Sequence, residues 1–215
     1  MPDLLLCSAT AFEIQPTLGR LDAYGGRVEV LITGVGLLET AFALAARLSE
    51  GAPPLLLQAG IAGCLDEARP LSSVVAIGSD GIGDLGVREG GRFQSTFDLG
   101  FGDPDAAPWQ GGRLPNNTEL PALSGLPVVS AVSVSTISTD ADTIGHYRSA
   151  WGAVAESMEG AAFHFAARKW SRPFLQVRAF SNYIGERDKS RWQLRKSIAA
   201  LNRQLETLIP QLLSL

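Results

Sequence analysis

Glu13, Glu159, Arg178 and Asn182 are the residues of this chain whose types and surroundings could do chemistry. Glu13 closes the stretch Ala9-Thr10-Ala11-Phe12-Glu13, directly after a short apolar run. Glu159 lies in Ser157-Met158-Glu159-Gly160-Ala161-Ala162, where a strand gives way to a helix. Arg178, Ser181 and Asn182 belong to Val177-Arg178-Ala179-Phe180-Ser181-Asn182, the exit of a second apolar run. An ionised carboxylate accepts a proton from water or hydrogen bonds from hydroxyls, while an amide both accepts and donates. Carboxylates at two strand exits and an amide at a third suit a ligand with hydroxyls and a heterocycle, which describes a nucleoside.

Each residue also has a plain structural role open to it. Glu13 and Glu159 suit the first turn of a helix, where the dipole favours negative charge, and Ser157 is the expected N-cap before Glu159. Gly60-Ile61-Ala62-Gly63 follows another apolar run, and its backbone N–H groups could face a ligand or simply make a turn. What favours a site is that all these stretches fall at strand exits, which one fold would bring together.

The elements that must position them alternate in type. Apolar runs at Leu4–Ala9, Val28–Thr33, Leu55–Ala59, Ser73–Gly78, Val128–Val134, Ala153–Glu156 and Phe174–Phe180 read as buried strands. Helices are expected over Phe12–Ala23, with Pro16 in the first turn, and over Ala141–Ala150, Met158–Trp170 and Lys189–Ile209. Leu37–Ser49 spaces Leu37, Leu38, Ala41, Phe42, Ala45 and Leu48 as an amphipathic helix, stopped by Gly51 and Pro53-Pro54. The pattern predicts an α/β fold with a largely parallel sheet covered on both faces, whose ligands collect at the carboxyl ends of the strands. Between Gly81 and Ala122 the periodicity fades into glycines, phenylalanines and four prolines, and long irregular segments of this kind are often functional. No repeat or linker divides the chain, so residues 1–215 are expected to form one domain.

Composition narrows the class. Apolar residues make up 46% of the 215, enough for a sizeable core. A net charge of −4 and the lack of a basic run argue against nucleic acid. No apolar stretch approaches the roughly 20 residues that span a bilayer, and the start, Met1-Pro2-Asp3, lacks the basic region of a secretion signal. Cys7 and Cys64 have no metal-ligand spacing, and a disulfide is not expected, so the chain reads as cytoplasmic. Gly34-Val35-Gly36 has Glu39 where a dinucleotide fingerprint needs glycine. There is no phosphate loop and no Gly-x-Ser-x-Gly elbow. His146 and His164 make no metal pattern, and His164, inside a helix, reads as packed or surface.

Together, Glu13, Thr33-Gly34-Val35-Gly36, Ala59-Gly60-Ile61-Ala62-Gly63 and the two C-terminal stretches resemble the nucleoside phosphorylase and nucleosidase superfamily. They run in its order over nearly the whole chain, nearest the methylthioadenosine/adenosylhomocysteine nucleosidase branch. One departure is informative: where adenosine-type nucleosidases have Ser-Asp, this chain has Ser181-Asn182. An amide oxygen can accept from a protonated purine N7 while its NH2 donates to a 6-oxo group. With Tyr183, Glu186-Arg187, Trp192 and Gly83-Asp84-Leu85-Gly86-Val87, this variation resembles the futalosine hydrolases, which release hypoxanthine from futalosine in the alternative menaquinone pathway.

The resemblance implies a three-layer α/β/α phosphorylase/hydrolase-like fold, usually oligomeric, and cleavage of a C1′–N9 bond without metal or organic cofactor. It implies Glu13 as the base that activates water, with Arg178 placing Glu13 and that water. It gives Glu159 the ribose hydroxyls, Met158 the underside of the sugar, and Asn182 with Ser181 the departing base. Gly60 and Ile61 would present backbone to the substrate. Phe93, Phe97 and Phe101, with Arg88 and Arg92, are candidates for the 5′ substituent, reaching the site from a neighbouring subunit. Three other readings stay open: a purine nucleoside phosphorylase, which needs a cationic phosphate site for which only Arg20 offers itself, a methylthioadenosine/adenosylhomocysteine-type nucleosidase, and a non-catalytic nucleoside-binding module.

Overall fold

Leu4–Ser8 (β1) is buried along its length, and its side chains alternate between two cores. Leu4 and Leu6 join one cluster with Leu201, Leu205, Leu208 and Ile209, whereas Leu5 and Cys7 join another with Leu44, Leu48, Phe163 and Ala167. A strand apolar on both faces must be covered on both, and that requirement sets the three layers. The computed structural model describes residues 2–51 and 53–215. After β1 come α1 (Gln15–Leu18), β2 (Val28–Ile32), α2 (Leu37–Ser49), β3 (Leu55–Cys64) and β4 (Val74–Asp80). The middle of the chain forms β5 (Gly86–Glu89), β6 (Arg92–Ser95), β7 (Leu114–Pro115) and α3 (Leu120–Leu123). It continues with β8 (Val128–Ser133), α4 (Ala141–Trp151), β9 (Ala153–Ser157), α5 (Gly160–Lys169), β10 (Phe174–Tyr183) and α6 (Leu194–Leu212). One core cluster includes the apolar stripe of α6; the other, on the opposite face of the sheet, holds α2 and α5 packed side by side.

The main sheet runs β10-β4-β8-β9-β3-β1-β2, and β3 also pairs with β10. Five strands therefore close a circuit, with β1 and β2 extending from it. Pairings β1–β2, β1–β3, β3–β10, β4–β8 and β8–β9 are parallel; β10–β4, β3–β9 and β4–β7 are antiparallel. The sheet is thus largely parallel, as the alternating pattern predicts, but β9 meets β3 antiparallel, carboxyl end against carboxyl end, at Gly63–Glu156 and Cys64–Ala155.

Several boundaries differ from the sequence expectation. The expected helix at Phe12–Ala23 shrinks to Gln15–Leu18 and a 3-10 turn at Leu21–Tyr24. In α2 the bounds match, yet Leu38 and Phe42 are 83% and 74% exposed, so the core-facing stripe is Thr40, Leu44 and Leu48. The final helix begins at Leu194, after a short turn at Lys189–Arg191. Strands β3 and β10 each run on past their expected ends. Gly60-Ile61-Ala62-Gly63 is strand rather than turn, because it stays paired with β10 through Arg178↔Gly60 to Asn182↔Gly63. Helix α5 starts at Gly160 with Glu159 as N-cap. Ser157 is the last residue of β9, and its hydroxyl accepts from Gly160 N–H at a long 3.4 Å.

Candidate active site

The carboxyl ends of β1, β3, β9 and β10 open into a cavity of about 330 Å³. Its wall includes Glu13, Ile61, Met158, Glu159, Ser181 and Asn182, six of the eight expected site residues. The other two, Gly60 and Arg178, lie behind it. Arg178 is 1% exposed, and the space for its guanidinium exists because residue 60 has no side chain. A Cβ at Gly60 would lie 2.5 Å from Arg178 Nη1 and 3.0 Å from Glu13 Oε1. Gly60 thus leaves room for the close approach of Arg178 and Glu13 and is not itself in the cavity wall.

Glu13 is fixed by the loop it closes. Its Oε2 accepts from Thr10 N–H (3.1 Å), Thr10 Oγ1 (2.9 Å) and, more weakly, Ser8 Oγ (3.4 Å). Its Oε1 accepts from Ile61 N–H at 3.0 Å, so the N–H expected to meet substrate instead orients Glu13. That leaves Oε1 with one lone pair unclaimed. Farther back, Asn202 of α6 donates to the Glu13 carbonyl at 2.8 Å and accepts from Thr17 N–H and Oγ1. The third layer thereby holds the base of this loop.

Glu159 is held from two sides. Gly36 N–H, before α2, donates to Oε1 at 3.1 Å, and Arg178 Nη1 donates to Oε2 at 3.4 Å. Arg178 also donates from Nη1 to Ile61 O and from Nη2 to Gln58 Oε1, both at 3.2 Å. Among the described residues its carboxylate partner is Glu159, not Glu13. Both members are nearly solvent-free, where an unpaired charge costs several kcal/mol.

At the opposite end, a register shift between Phe180 and Asn182 leaves Ser181 out of the β3 ladder and turns Asn182 into the cavity wall. Ser181 Oγ donates to Asn182 Oδ1 at 2.8 Å, and Asn182 Nδ2 donates to Tyr183 O at 3.0 Å. The amide keeps one N–H and one lone pair free.

Sequence reasoning missed much of the rest of the wall: Thr10, Phe12, Val35, Ile137, Glu156, Ile184 and Leu194. Glu156 had a signal, a carboxylate inside an otherwise apolar strand. It is 4% exposed, and burial pushes its carboxyl up, against the Ser138 hydrogen bond. Trp192, singled out with the Asn182 motif, does line the cavity. Phe93, Phe97 and Phe101 do not. Phe97 instead lines a second cavity of about 380 Å³ with Trp109, Arg113 and Trp151, and Phe93 sits on the β5–β6 hairpin. Asp84 accepts from Ser135 and Thr136 N–H, at 2.6 and 3.1 Å, and so holds the loop carrying Ile137. Arg20 pairs with Glu206 on the surface, away from the cavity. His164 is fully buried with Nδ1 on Leu114 O, and burial lowers its pKa to about 4. Cys7 and Cys64 are both buried and free. No helix among the described residues is long and apolar enough to cross a membrane, and no acidic, His or Cys cluster among them could hold a metal ion.

This geometry has known relatives. The profile of the Phosphorylase superfamily matches residues 15–213. A futalosine hydrolase of Streptomyces coelicolor is 32% identical over 190 residues, covering 86% of this chain and 79% of that protein. Among solved structures, 5′-methylthioadenosine/S-adenosylhomocysteine nucleosidase from Helicobacter pylori, crystallised with butyl-thio-DADMe-Immucillin-A, superposes with a TM-score of 0.80. It is 17% identical, over 98% of this chain and 99% of that one. The native futalosine hydrolase of H. pylori gives 0.78 at 16% identity, over 98% of each chain. At such identities the superpositions establish the fold, and the profile and the S. coelicolor relative establish the family: the chain belongs to the phosphorylase superfamily.

Proposed function

We propose that this N-glycosyl hydrolase cleaves futalosine, releasing hypoxanthine and dehypoxanthine futalosine. The single observation that carries the hydrolytic reading is the charge of the cavity wall. It holds three carboxylates, Glu13, Glu156 and Glu159, and neither arginine nor lysine. A phosphorylase must bind phosphate there, which such a wall repels. The futalosine hydrolases among its relatives and Asn182 at the base end together favour futalosine as the substrate.

In this reading the free lone pair of Glu13 Oε1 takes a proton from the attacking water. The bonds from Thr10 and Ile61 hold the carboxylate in place, so little reorganisation accompanies the transfer. Glu159 uses the capacity left by Gly36 and Arg178 to accept from the ribose hydroxyls. Its charge then stabilises the cationic sugar that forms as the C1′–N9 bond breaks. Met158 packs under the ribose. Asn182 accepts from protonated N7 and donates to O6, while Ser181 fixes which end of the amide points where. Residues 1–215 act as one nucleosidase domain. The chain works as a homo-oligomer in which a second copy covers the exposed Phe12, Val35, Leu38 and Phe42 beside the cavity.

The test is incubation with futalosine in phosphate-free buffer and in buffer containing phosphate. Equal rates, with hypoxanthine and a free sugar as products, support the reading. Strict dependence on phosphate, with a sugar 1-phosphate as product, moves the chain to a phosphorylase. Cleavage of methylthioadenosine in place of futalosine makes it an adenosine-type nucleosidase.

A further inference from the structure

Glu156 is a buried carboxylate in the cavity wall to which the mechanism above gives no role. Its Oε1 accepts from Ser138 N–H at 3.0 Å, whereas Oε2 has no hydrogen-bond partner among the described residues. A carboxylate oxygen left this way inside a protein is costly unless something donates to it. The sheet register places it opposite the base end. Gly63 of β3 pairs with Glu156 on one side and with Asn182 on the other. Two inter-strand spacings, roughly 10 Å, therefore separate the two side-chain origins, and the intervening residue contributes no side chain. The floor of the strip between them is Ile184, whose Cδ1 lies 2.1 Å from where a Gly63 Cβ would be. A flat bicyclic ring with a hydrogen bond at each end suits that span.

The two ends also match a particular edge. A 6-oxopurine presents N7 and O6 at one side and an N1–H donor at the other. A 6-aminopurine has a bare acceptor at N1. We infer that Glu156 is a specificity-determining residue whose carboxylate accepts the N1–H of the 6-oxopurine base held by Asn182. The inference rests on the futalosine reading and adds a second reader to it. Asn182 tests position 6 and N7, and Glu156 tests N1. The carboxylate also opposes the positive charge that N7 protonation places on the departing base, so its contribution falls partly on kcat. Ser138 orients the carboxylate, and Asp84, holding the same loop at Ser135 and Thr136, keeps Ser138 in place.

The experiment compares kcat/KM for futalosine and aminofutalosine in the wild type and in Glu156→Gln. Glutamine keeps the shape, but satisfying Ser138 turns its NH2 toward N1–H. A donor facing a donor in a closed site costs enough for a roughly 10- to 100-fold loss with futalosine. Aminofutalosine should lose less, so that the ratio falls tenfold or more. An unchanged ratio, or equal losses on both substrates, overturns the inference and reduces Glu156 to a support for the Ser138 loop. Both results leave the futalosine reading intact. A wild type that does not cleave futalosine overturns reading and inference together. Calorimetry on the wild type with hypoxanthine and 1-methylhypoxanthine gives a second readout that needs no variant. Loss of the N1–H should weaken binding at least tenfold, and equal affinity overturns the inference.

Discussion

The two ends of the cavity are built on different terms. At the end proposed for the sugar, the carboxylate oxygens of Glu13 and Glu159 are already engaged, by Thr10 and Ile61 in one case and by Gly36 and Arg178 in the other. Those partners come from four separate segments, so the geometry is set by the whole fold before any ligand arrives. At the end proposed for the base, the Asn182 side chain is held among the described residues only by its sequence neighbours Ser181 and Tyr183 and keeps free hydrogen-bonding capacity, while Glu156 keeps an oxygen with no partner among them. In the proposed reading the contrast separates two tasks. Making and stabilising a cationic sugar is common to nucleoside cleavage and rests on preorganised charge. Choosing the base rests on polar groups that only the right edge satisfies.

The sharpest way to break this comparison is at Glu13. Glu13→Gln keeps the shape and loses the base, so turnover should fall by roughly 10²–10⁴ while substrate still binds. Single-turnover rates together with equilibrium binding check this, and near-normal turnover removes Glu13 from the mechanism. Next comes Glu159→Gln. Its charge matters most when the sugar becomes cationic, so kcat should drop by about 10²–10³ with little change in KM. A raised KM at constant kcat would reduce Glu159 to an anchor for the sugar. The base end should behave differently: Asn182→Asp should shift the ratio of kcat/KM toward the 6-amino substrate by about 1–3 kcal/mol, one to two orders of magnitude. Loss of both substrates alike would place Asn182 with the sugar-end machinery instead.

The smallest effect on turnover is expected behind the site, at Asp80. This carboxylate is fully buried, and burial raises its pKa from 3.8 to about 6, against the bond from Gly81 N–H and the charge of Arg178. A raised folded pKa means that stability is greatest below the ordinary value and is lost as pH rises through about 6. Between pH 4 and 7 the wild type should therefore lose about 2–3 kcal/mol relative to Asp80→Asn. Denaturant unfolding at several pH values measures the difference. A gap that stays flat with pH would mean that Asp80 titrates in its usual range.

How much of this was legible in the sequence follows the same division. Glu13, Glu159 and Asn182 could be found because each follows an apolar run: the exits of the parallel strands β1, β3 and β10 converge, and β9 joins them because its carboxyl end meets that of β3. The role of Gly60 could not be read, since its value lies in the approach of Arg178 and Glu13 from other segments. Nor could the ends of β3 and β10, which continue through small residues because each pairs with the other. Propensity alone would end them earlier. In α2, Leu38 and Phe42 completed a plausible apolar stripe but face outward, and the spacing did not distinguish the core face from a second exposed one. The Gly81–Ala122 stretch hid a readable hairpin. Gly90-Gly91, with φ of 56° and 78°, is the glycine pair that a tight turn between β5 and β6 requires.

The account's central claim is that the base end selects a 6-oxopurine. The most direct measurement is kcat/KM of the unaltered protein for futalosine and for aminofutalosine, side by side in phosphate-free buffer. A preference for futalosine of roughly 10- to 100-fold is predicted from the cost of a mismatched buried polar contact. Equal use of the two substrates, or a preference for aminofutalosine, would contradict it.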